Sequence, residues 1–594
     1  MADLRQVRPA EHRALTGPLS IRDGPRRYTR QRVASERPPD DRLPTAPPSD
    51  SWLPAEHGSD NRNLQRRVAR GASWTILDNW GRQLLQLLVF VIIARLLVPA
   101  DFGLVALAMV FVALAQLFVD QGLGDALVQR RELTKAHVDT AFWAALALGV
   151  VLAVVGLLAA GPIAALLNEP ELQPVLQALS LVFILSGLAA IPMAILQREL
   201  RFRSLALRTI FSLAGGGALG IAMALMGYGV WALVGQQLTT GVLSVVALWW
   251  ASPWRPGLTF SRRHFRELIG FGANVVGSDL LHYLTRYSDK FLVGTVLGTV
   301  PLGIYAVGYR ILDAASALLV GIARKISFPA LARVQHEPER LARAYFRMTR
   351  ITAALVLPGY IGLALVAPEL IRLVFGARWA EAGPVAAVLF LVGPAFAVQG
   401  FGGTLLNAAG RPDITLRLRF VSAAMTVVGF AIAVPFGLLA VAAAYAIRGY
   451  LMLPLQLYYQ RKYAGIPTSE YLLRLRGPAL ATAVMAAAVL AVKWLLLPRV
   501  DYVVLLAAEV TVGAVVFLAA AWVLERELVG EVVNIAAQAL PGGERARRRL
   551  AKRRAAAGAD DEGLADDEAA AEVADALRAR PDELEPPRDR LSDF

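Results

Sequence analysis

Between residues 74 and 524 the chain offers fourteen apolar stretches, joined by loops that are rich in Lys and Arg on one side of the pattern and nearly devoid of them on the other. A helix that crosses the hydrocarbon core of a bilayer needs about 20 mainly apolar residues, and each stretch reaches or approaches that length. The pattern predicts an all-α, polytopic membrane protein with about fourteen transmembrane helices. Composition agrees: 56% of the 594 residues are hydrophobic, 18% are charged and the mean hydropathy is +0.49, a balance unusual for a soluble chain of this length.

Loop charge sets the expected orientation. Loops on the side of the amino terminus hold twenty-five Lys and Arg, among them Arg198, Arg201, Arg203, Arg208, Arg340, Arg343, Arg347 and Arg350. The opposite loops are short turns such as 99–103, 227–229 and 298–301, and they contribute only Arg378 and Arg499. Short basic loops stay cytoplasmic, so both termini are expected inside and the number of crossings even. The least apolar stretch, 268–298, must then cross too, because omitting it would send every later basic loop outside.

The same placement explains the net charge of +14 and the pI near 10.1. The cations flank helix ends, where they fix topology and meet anionic membrane lipids, so nucleic acid is not expected as a partner. The absence of Cys excludes disulfides, thiol catalysis and thiolate metal sites. With no metal-ligand cluster, phosphate-cradling Gly loop or nucleophile constellation in the sequence, neither a cofactor nor an enzymatic activity is expected. Residues 1–70, rich in Arg, Pro, Asp and Ser, read as a disordered, basic cytoplasmic tail. Residues 71–251 and 252–460 form an amino-terminal and a carboxy-terminal lobe of six crossings each, and 461–525 add two more. Residues 526–594 form a cytoplasmic tail, at first amphipathic, then basic over 545–554, then mixed in charge. The first apolar stretch is too long, and begins too far along the chain, for a cleaved signal.

An offset of 200 residues superimposes the two halves. Residues 94–108 read ARLLVPADFGLVALA and 294–308 read GTVLGTVPLGIYAVG, which sets Leu97 on Leu297, Gly103 on Gly303 and Ala106 on Ala306; upstream, Asn79 falls on Asp279. Both halves start inside and contain six crossings, so they are parallel repeats about an axis along the membrane normal, a transporter architecture.

The seventh stretch carries charges that lipid does not tolerate. Asp279, His282, Arg286 and Asp289 are spaced three, four and three residues apart and form one stripe of a helix, with Asn274 and Lys290 beside it. The eighth adds Tyr305, Tyr309 and Asp313 on one face, with Arg310 adjacent. An ionised residue at mid-membrane costs about 2.5–3.5 kcal/mol, and Asp279, Arg286, Asp289, Lys290, Arg310 and Asp313 together would cost on the order of 15–20 kcal/mol against lipid. They are expected to face a wet or protein-lined interior, with Asp289 near enough in depth to pair with Arg310. The like charges of Arg286 and Lys290, one turn apart, point to an anionic guest. The first stretch repeats the theme with Asp78, Asn79, Arg82, Gln83 and Gln86 on one face, where Asp78 and Arg82 are also spaced as an internal ion pair. Arg448, midway along the twelfth stretch, is a candidate for the second wall of a cavity.

Other intramembrane polar residues have plainer expected roles. Arg95, Arg372 and Lys493 lie near outer ends and can snorkel to the interface. Asp120 and Asp125 flank an inner helix end, as a gate or as partners of Arg130 and Arg131. His282 is expected to be neutral and hydrogen-bonded rather than proton-coupling. Glycines such as Gly215–Gly217 and Gly402 with Gly403 permit close helix packing, and Pro192, Pro358, Pro394 and Pro454 are placed to bend helices.

The run Asp289-Lys290-Phe291-Leu292-Val293-Gly294, followed by Leu297-Gly298, Leu302-Gly303, Tyr305 and Tyr309-Arg310, resembles the signature of Wzx-type polysaccharide flippases. These form the polysaccharide transporter branch of the multidrug/oligosaccharidyl-lipid/polysaccharide exporter superfamily. The runs Ala94-Arg95 to Phe102-Gly103, Asp120 to Asp125 and Phe328-Pro329 to Arg333 are similar to its colanic-acid or lipopolysaccharide exporter subgroup. The resemblance covers about residues 70–525. It implies transfer of an undecaprenyl-pyrophosphate-linked oligosaccharide between the leaflets of a bacterial plasma membrane, by alternating access between the lobes. Arg286 and Lys290, with Arg310 and Arg82 or Arg448, would neutralise the head group. It also allows partnership with a polysaccharide polymerase or glycosyltransferase complex.

Rival readings are a cation-coupled multidrug exporter, whose cavity would favour acids over bases, and a lipid II flippase of the same superfamily. A membrane glycosyltransferase or polymerase would need long outer loops, and a scaffold for envelope synthesis would use the tails.

Overall fold

The computed structural model describes residues 81–119, 124, 127–128, 133–333, 338–497 and 499–526, with side chains for these except 119, 268–279 and 320–339. Every regular element among them is helical. In chain order they are α1 over residues 81–96, α2 (Pro99–Val119), α3 (Lys135–Leu166), α4 (Leu172–Arg198), α5 (Phe202–Leu225), α6 (Val230–Ala251), α7 (Arg262–Val296), α8 (Thr299–Arg333) and α9 (Pro338–Phe375). Then α10 (Ala382–Phe390), α11 (Gly393–Gln399) and α12 (Gly402–Ala408) make one interrupted crossing, followed by α13 (Pro412–Ala433), α14 (Leu438–Ala464), the short α15 (Thr468–Arg474), α16 (Arg476–Leu496) and α17 (Tyr502–Leu524).

Twelve of the described crossings are long and apolar enough to traverse a membrane. The remaining two of the expected fourteen are α1, described only from residue 81, and α7, which is 35 residues long but carries the polar stripe. Both tails outside residues 81–526, the basic run 545–554, Asp78, Asn79, Asp120 and Asp125 lie outside the described residues, as do the side chains of Asn274, Asp279 and Phe328 to Arg333.

The 200-residue register appears in space as a reciprocal contact. A Cβ added to Gly103 on α2 would stand 1.7 Å from the Thr299 carbonyl oxygen, and one added to Gly303 on α8 would stand 1.9 Å from the Pro99 carbonyl oxygen. Pro99 and Thr299 are themselves 200 residues apart, so each half presents the same two positions to the other. Hydrogen side chains at both glycines let the two backbones touch. Proline opens α2, where the missing N–H is no loss, and Gly298 at φ +94° makes the equivalent turn into α8, a conformation that suits glycine.

Three further contacts fasten the same end of the bundle. Arg95 donates from Nε to the Val374 carbonyl at 2.7 Å, Arg378 to the Leu97 carbonyl at 3.1 Å, and Trp379 Nε1 to the Ala94 carbonyl at 2.7 Å. Trp379 is fully buried and meets Phe102 edge-on, while Phe90 meets both Phe102 and Phe375. One apolar core runs through both halves, from Ile93, Leu97 and Leu107 to Leu302, Tyr360 and Phe430. Close approach at Gly216 follows expectation, since a Cβ there would stand 2.0 Å from Thr240 Oγ1 on α6.

The opposite end is tied through the connector between α6 and α7. Asp139, fully buried in the second turn of α3, accepts from Trp254 Nε1 at 3.2 Å and from Thr259 Oγ1 at 2.8 Å. Trp143 Nε1 donates to the Gly257 carbonyl at 2.8 Å, and the Ser261 N–H to Thr140 Oγ1 at 3.1 Å. The break between α11 and α12 is sealed by side chains: Tyr471 donates to the Val398 carbonyl at 2.6 Å and Gln456 to the Gln399 carbonyl at 3.1 Å. In hydrocarbon an unsatisfied backbone group costs several kcal/mol, so an interrupted helix needs such partners.

Candidate functional site

The described part of the stripe on α7 turns toward α8. Arg286 donates to both Asp313 oxygens, at 3.4 and 2.8 Å, and the two side chains remain 40% and 27% exposed. Asp289, buried, accepts from the Tyr305 hydroxyl at 2.8 Å and from the Lys290 backbone N–H at 2.7 Å. This corrects the expected pairing of Asp289 with Arg310. Similar depth brought those residues together on paper, but the helix rotations send Asp289 to Tyr305, while Arg310 reaches across to Gln86 of α1 at 3.3 Å and lies over the Phe90 ring.

Lys290 is placed differently. Its ammonium lies 5.0 Å from the ring centre of Tyr287 and 4.5 Å from that of Tyr309. Among the described residues it has no hydrogen-bonding oxygen and no carboxylate within ion-pair distance. Ring faces attract a cation, but they leave its N–H donors unsatisfied. The array continues from Tyr309 to Tyr445 of α14, 5.8 Å between centres, and Arg448 lies over the Tyr445 ring, 5.1 Å from its centre. Arg448 also donates to Ser422 at 3.1 Å and Thr426 at 3.4 Å on α13. Lys290 and Arg448 thus sit at opposite ends of one pair of tyrosines.

The charges act on one another. Lys290 is within electrostatic reach of Asp289, Arg286, Asp313 and Arg310, and Arg310 of Asp313, Arg286 and Arg82. Among the described residues this cluster holds four cations, Arg82, Arg286, Lys290 and Arg310, against two carboxylates, Asp289 and Asp313. Arg82 and His282 are exposed; Asp78 and the Asp279 side chain lie outside the described residues. Such a patch can hold an anion, with Arg286 already half-committed to Asp313 and Lys290 uncommitted. Tyr287 and Tyr445 were not legible as members of it, since a tyrosine in an apolar stretch reads as core.

A second polar group went unread in the sequence. Lys493 on α16 does not snorkel: its Nζ lies 2.9 Å from Glu369 and 2.8 Å from the Leu365 carbonyl on α9, and 3.5 Å from Glu509 on α17. Glu369 and Glu509 are 7% and 1% exposed. Arg95 and Arg372 do stay near helix ends, Arg372 over the Tyr502 ring at 5.0 Å.

Comparison with known proteins bears on the family and the fold. The succinoglycan biosynthesis transport protein ExoT of Rhizobium meliloti is 28% identical over 326 residues, covering 55% of this chain and 66% of that protein. The lipopolysaccharide biosynthesis protein WzxC of Escherichia coli is 27% identical over 357 residues, covering 60% of this chain and 73% of that protein. The solved lipid II flippase MurJ, in an inward closed conformation, shares the fold with a TM-score of 0.65 at 13% identity, covering 77% of this chain and all of that one. Residues 92–384 match the family described as polysaccharide biosynthesis protein, and with these relatives the match bears out the resemblance to the Wzx-type polysaccharide flippases.

Proposed function

We propose that this chain is a flippase that moves an undecaprenyl-pyrophosphate-linked oligosaccharide across a bacterial plasma membrane by alternating access between its two six-helix lobes. Both termini are cytoplasmic in this reading, in keeping with the loop charges. The observation that carries it is Lys290, an ammonium inside the bundle with no carboxylate at ion-pair distance among the described residues, beside Arg286, Arg310 and Arg82. A pyrophosphate would supply the missing acceptor oxygens, and charge-assisted bonds of that kind are among the strongest available. Asp313 holds Arg286 in place, Arg448 closes the array at α14, and the polyprenyl tail stays in lipid.

The test is Arg286→Ala with Lys290→Ala in a strain whose own exporter has been deleted. The expected result is loss of polysaccharide export while immunoblots of the membrane fraction show the protein at its usual level. Normal export by that well-expressed double variant overturns the reading.

A further inference from the structure

We propose that Glu509, with Lys493 and Glu369, is an exchangeable proton-binding site between α9 and the helix pair α16–α17, and that it serves the transport reaction as its coupling site. The inference rests on the proposed transport function for its purpose, but not for its chemistry. Three helices each contribute one residue. Lys493 Nζ sits 2.9 Å from a Glu369 oxygen and 3.5 Å from a Glu509 oxygen, and the Leu365 carbonyl takes a further N–H at 2.8 Å. One ammonium therefore faces two carboxylates.

Glu509 is the odd member. It is 1% exposed, and neither of its carboxylate oxygens has a hydrogen-bond partner. A buried carboxylate without hydrogen bonds is strongly disfavoured in its ionised form. Among the described residues the charged groups facing Glu509 from its neighbours are Lys493 on α16 and Glu369 on α9. Arg372 of α9 lies over Tyr502, about two helical turns from Glu509 along α17.

The chemistry balances with one proton. In one state Glu509 holds a proton taken from water as a new O–H bond, and Lys493 remains an ammonium paired with Glu369. In the other the proton has returned to water, Glu509 is a carboxylate and the ammonium divides itself between two anions. Because Nζ is already within 3.5 Å of both, the exchange requires a small side-chain shift, yet it moves the strongest bond of the cluster from α9 toward α17. Proton occupancy thereby alters how the carboxy-terminal pair docks on the second half.

The experiment is an infrared pH titration of the full-length protein reconstituted in liposomes, which needs no substrate. Wild type is expected to show a carboxylic C=O stretch that grows as pH falls, that Glu509→Gln removes and that Glu369→Gln retains. A band that persists in Glu509→Gln, or a carboxylate signal that answers to added sodium at fixed pH, overturns the proposal. Glu509→Asp keeps a titratable group and is expected to restore a band, which separates loss of the site from loss of the fold. In flipping assays, wild type should change rate with pH by up to the about tenfold per unit that one titrating group allows, and Glu509→Gln should stay within about twofold. A titrating Glu509 in a protein that moves no glycolipid would defeat the transport reading alone.

Discussion

The reciprocal contact at Gly103 and Gly303 fixes a sharp expectation for the gate on the proposed outer side. Adding one methyl group at Gly303 sets carbon 1.9 Å from the Pro99 carbonyl oxygen, and ordinary contact begins at 3.4 Å. Helices α2 and α8 must therefore part by about 1.5 Å, or the turn before α2 must deform. Overpacking of this kind costs about 1–3 kcal/mol, equivalent to shifting a closed-to-open ratio by about 5- to 150-fold. Because Gly103→Ala pushes the same two helices apart, the separation made by one change relieves the other, and the double variant should cost less than the sum. The chain has no Cys, so a single Gln86→Cys on the polar face of α1 reports access to the interior. Labelling by an impermeant maleimide from outside should accelerate in Gly303→Ala. In Gly308→Ala, where an added Cβ would stand 3.5 Å from Ala386, it should not. Equal labelling rates in wild type and Gly303→Ala, at unchanged thermal stability, would show that the two backbones are not in contact.

Two further outcomes follow from the packing. Trp379→Ala removes a fully buried indole and its bond to the Ala94 carbonyl, and should lower unfolding stability by about 3–5 kcal/mol in a denaturation series in detergent. Asp139→Ala leaves the buried Trp254 indole N–H without its acceptor and releases the exposed Thr259 hydroxyl; at about 1–3 kcal/mol for the buried donor left unsatisfied, proteolysis between 252 and 261 should become faster, and an unchanged cleavage rate would refute the anchoring role.

Helix number, the repeat register and the charged face of α7 were all legible because each is a periodicity along one chain. Gly103 and Gly303 could be matched by offset alone, and their contact follows from two-fold arrangement of equivalent turns. Pairing across helices was less accessible. Asp289 and Arg310 share a depth, but depth does not specify rotation about the helix axis, and Asp289 meets Tyr305 instead. Glu369 and Glu509 are lone acids in apolar spans, 140 residues apart, so neither forms a stripe; only the fold brings Lys493 between them. Gly402 with Gly403 read as a packing pair, whereas the chain just before them interrupts a crossing whose carbonyls Tyr471 and Gln456 must complete.

The connector between the halves has little slack. Trp254, Gly257, Thr259 and Ser261 are all pinned to the opening turns of α3, so the ten residues from 252 to 261 travel with the first half as though they were part of it. His137 of α3 also stacks on His264 and lies 3.8 Å from Glu267, so in the proposed transport cycle any turn of the halves would be absorbed beyond these first turns of α7. In the proposed cycle the later turns of this helix, which bear Arg286, Asp289 and Lys290, would then be the swinging arm, and its charges would be displaced with each change of access.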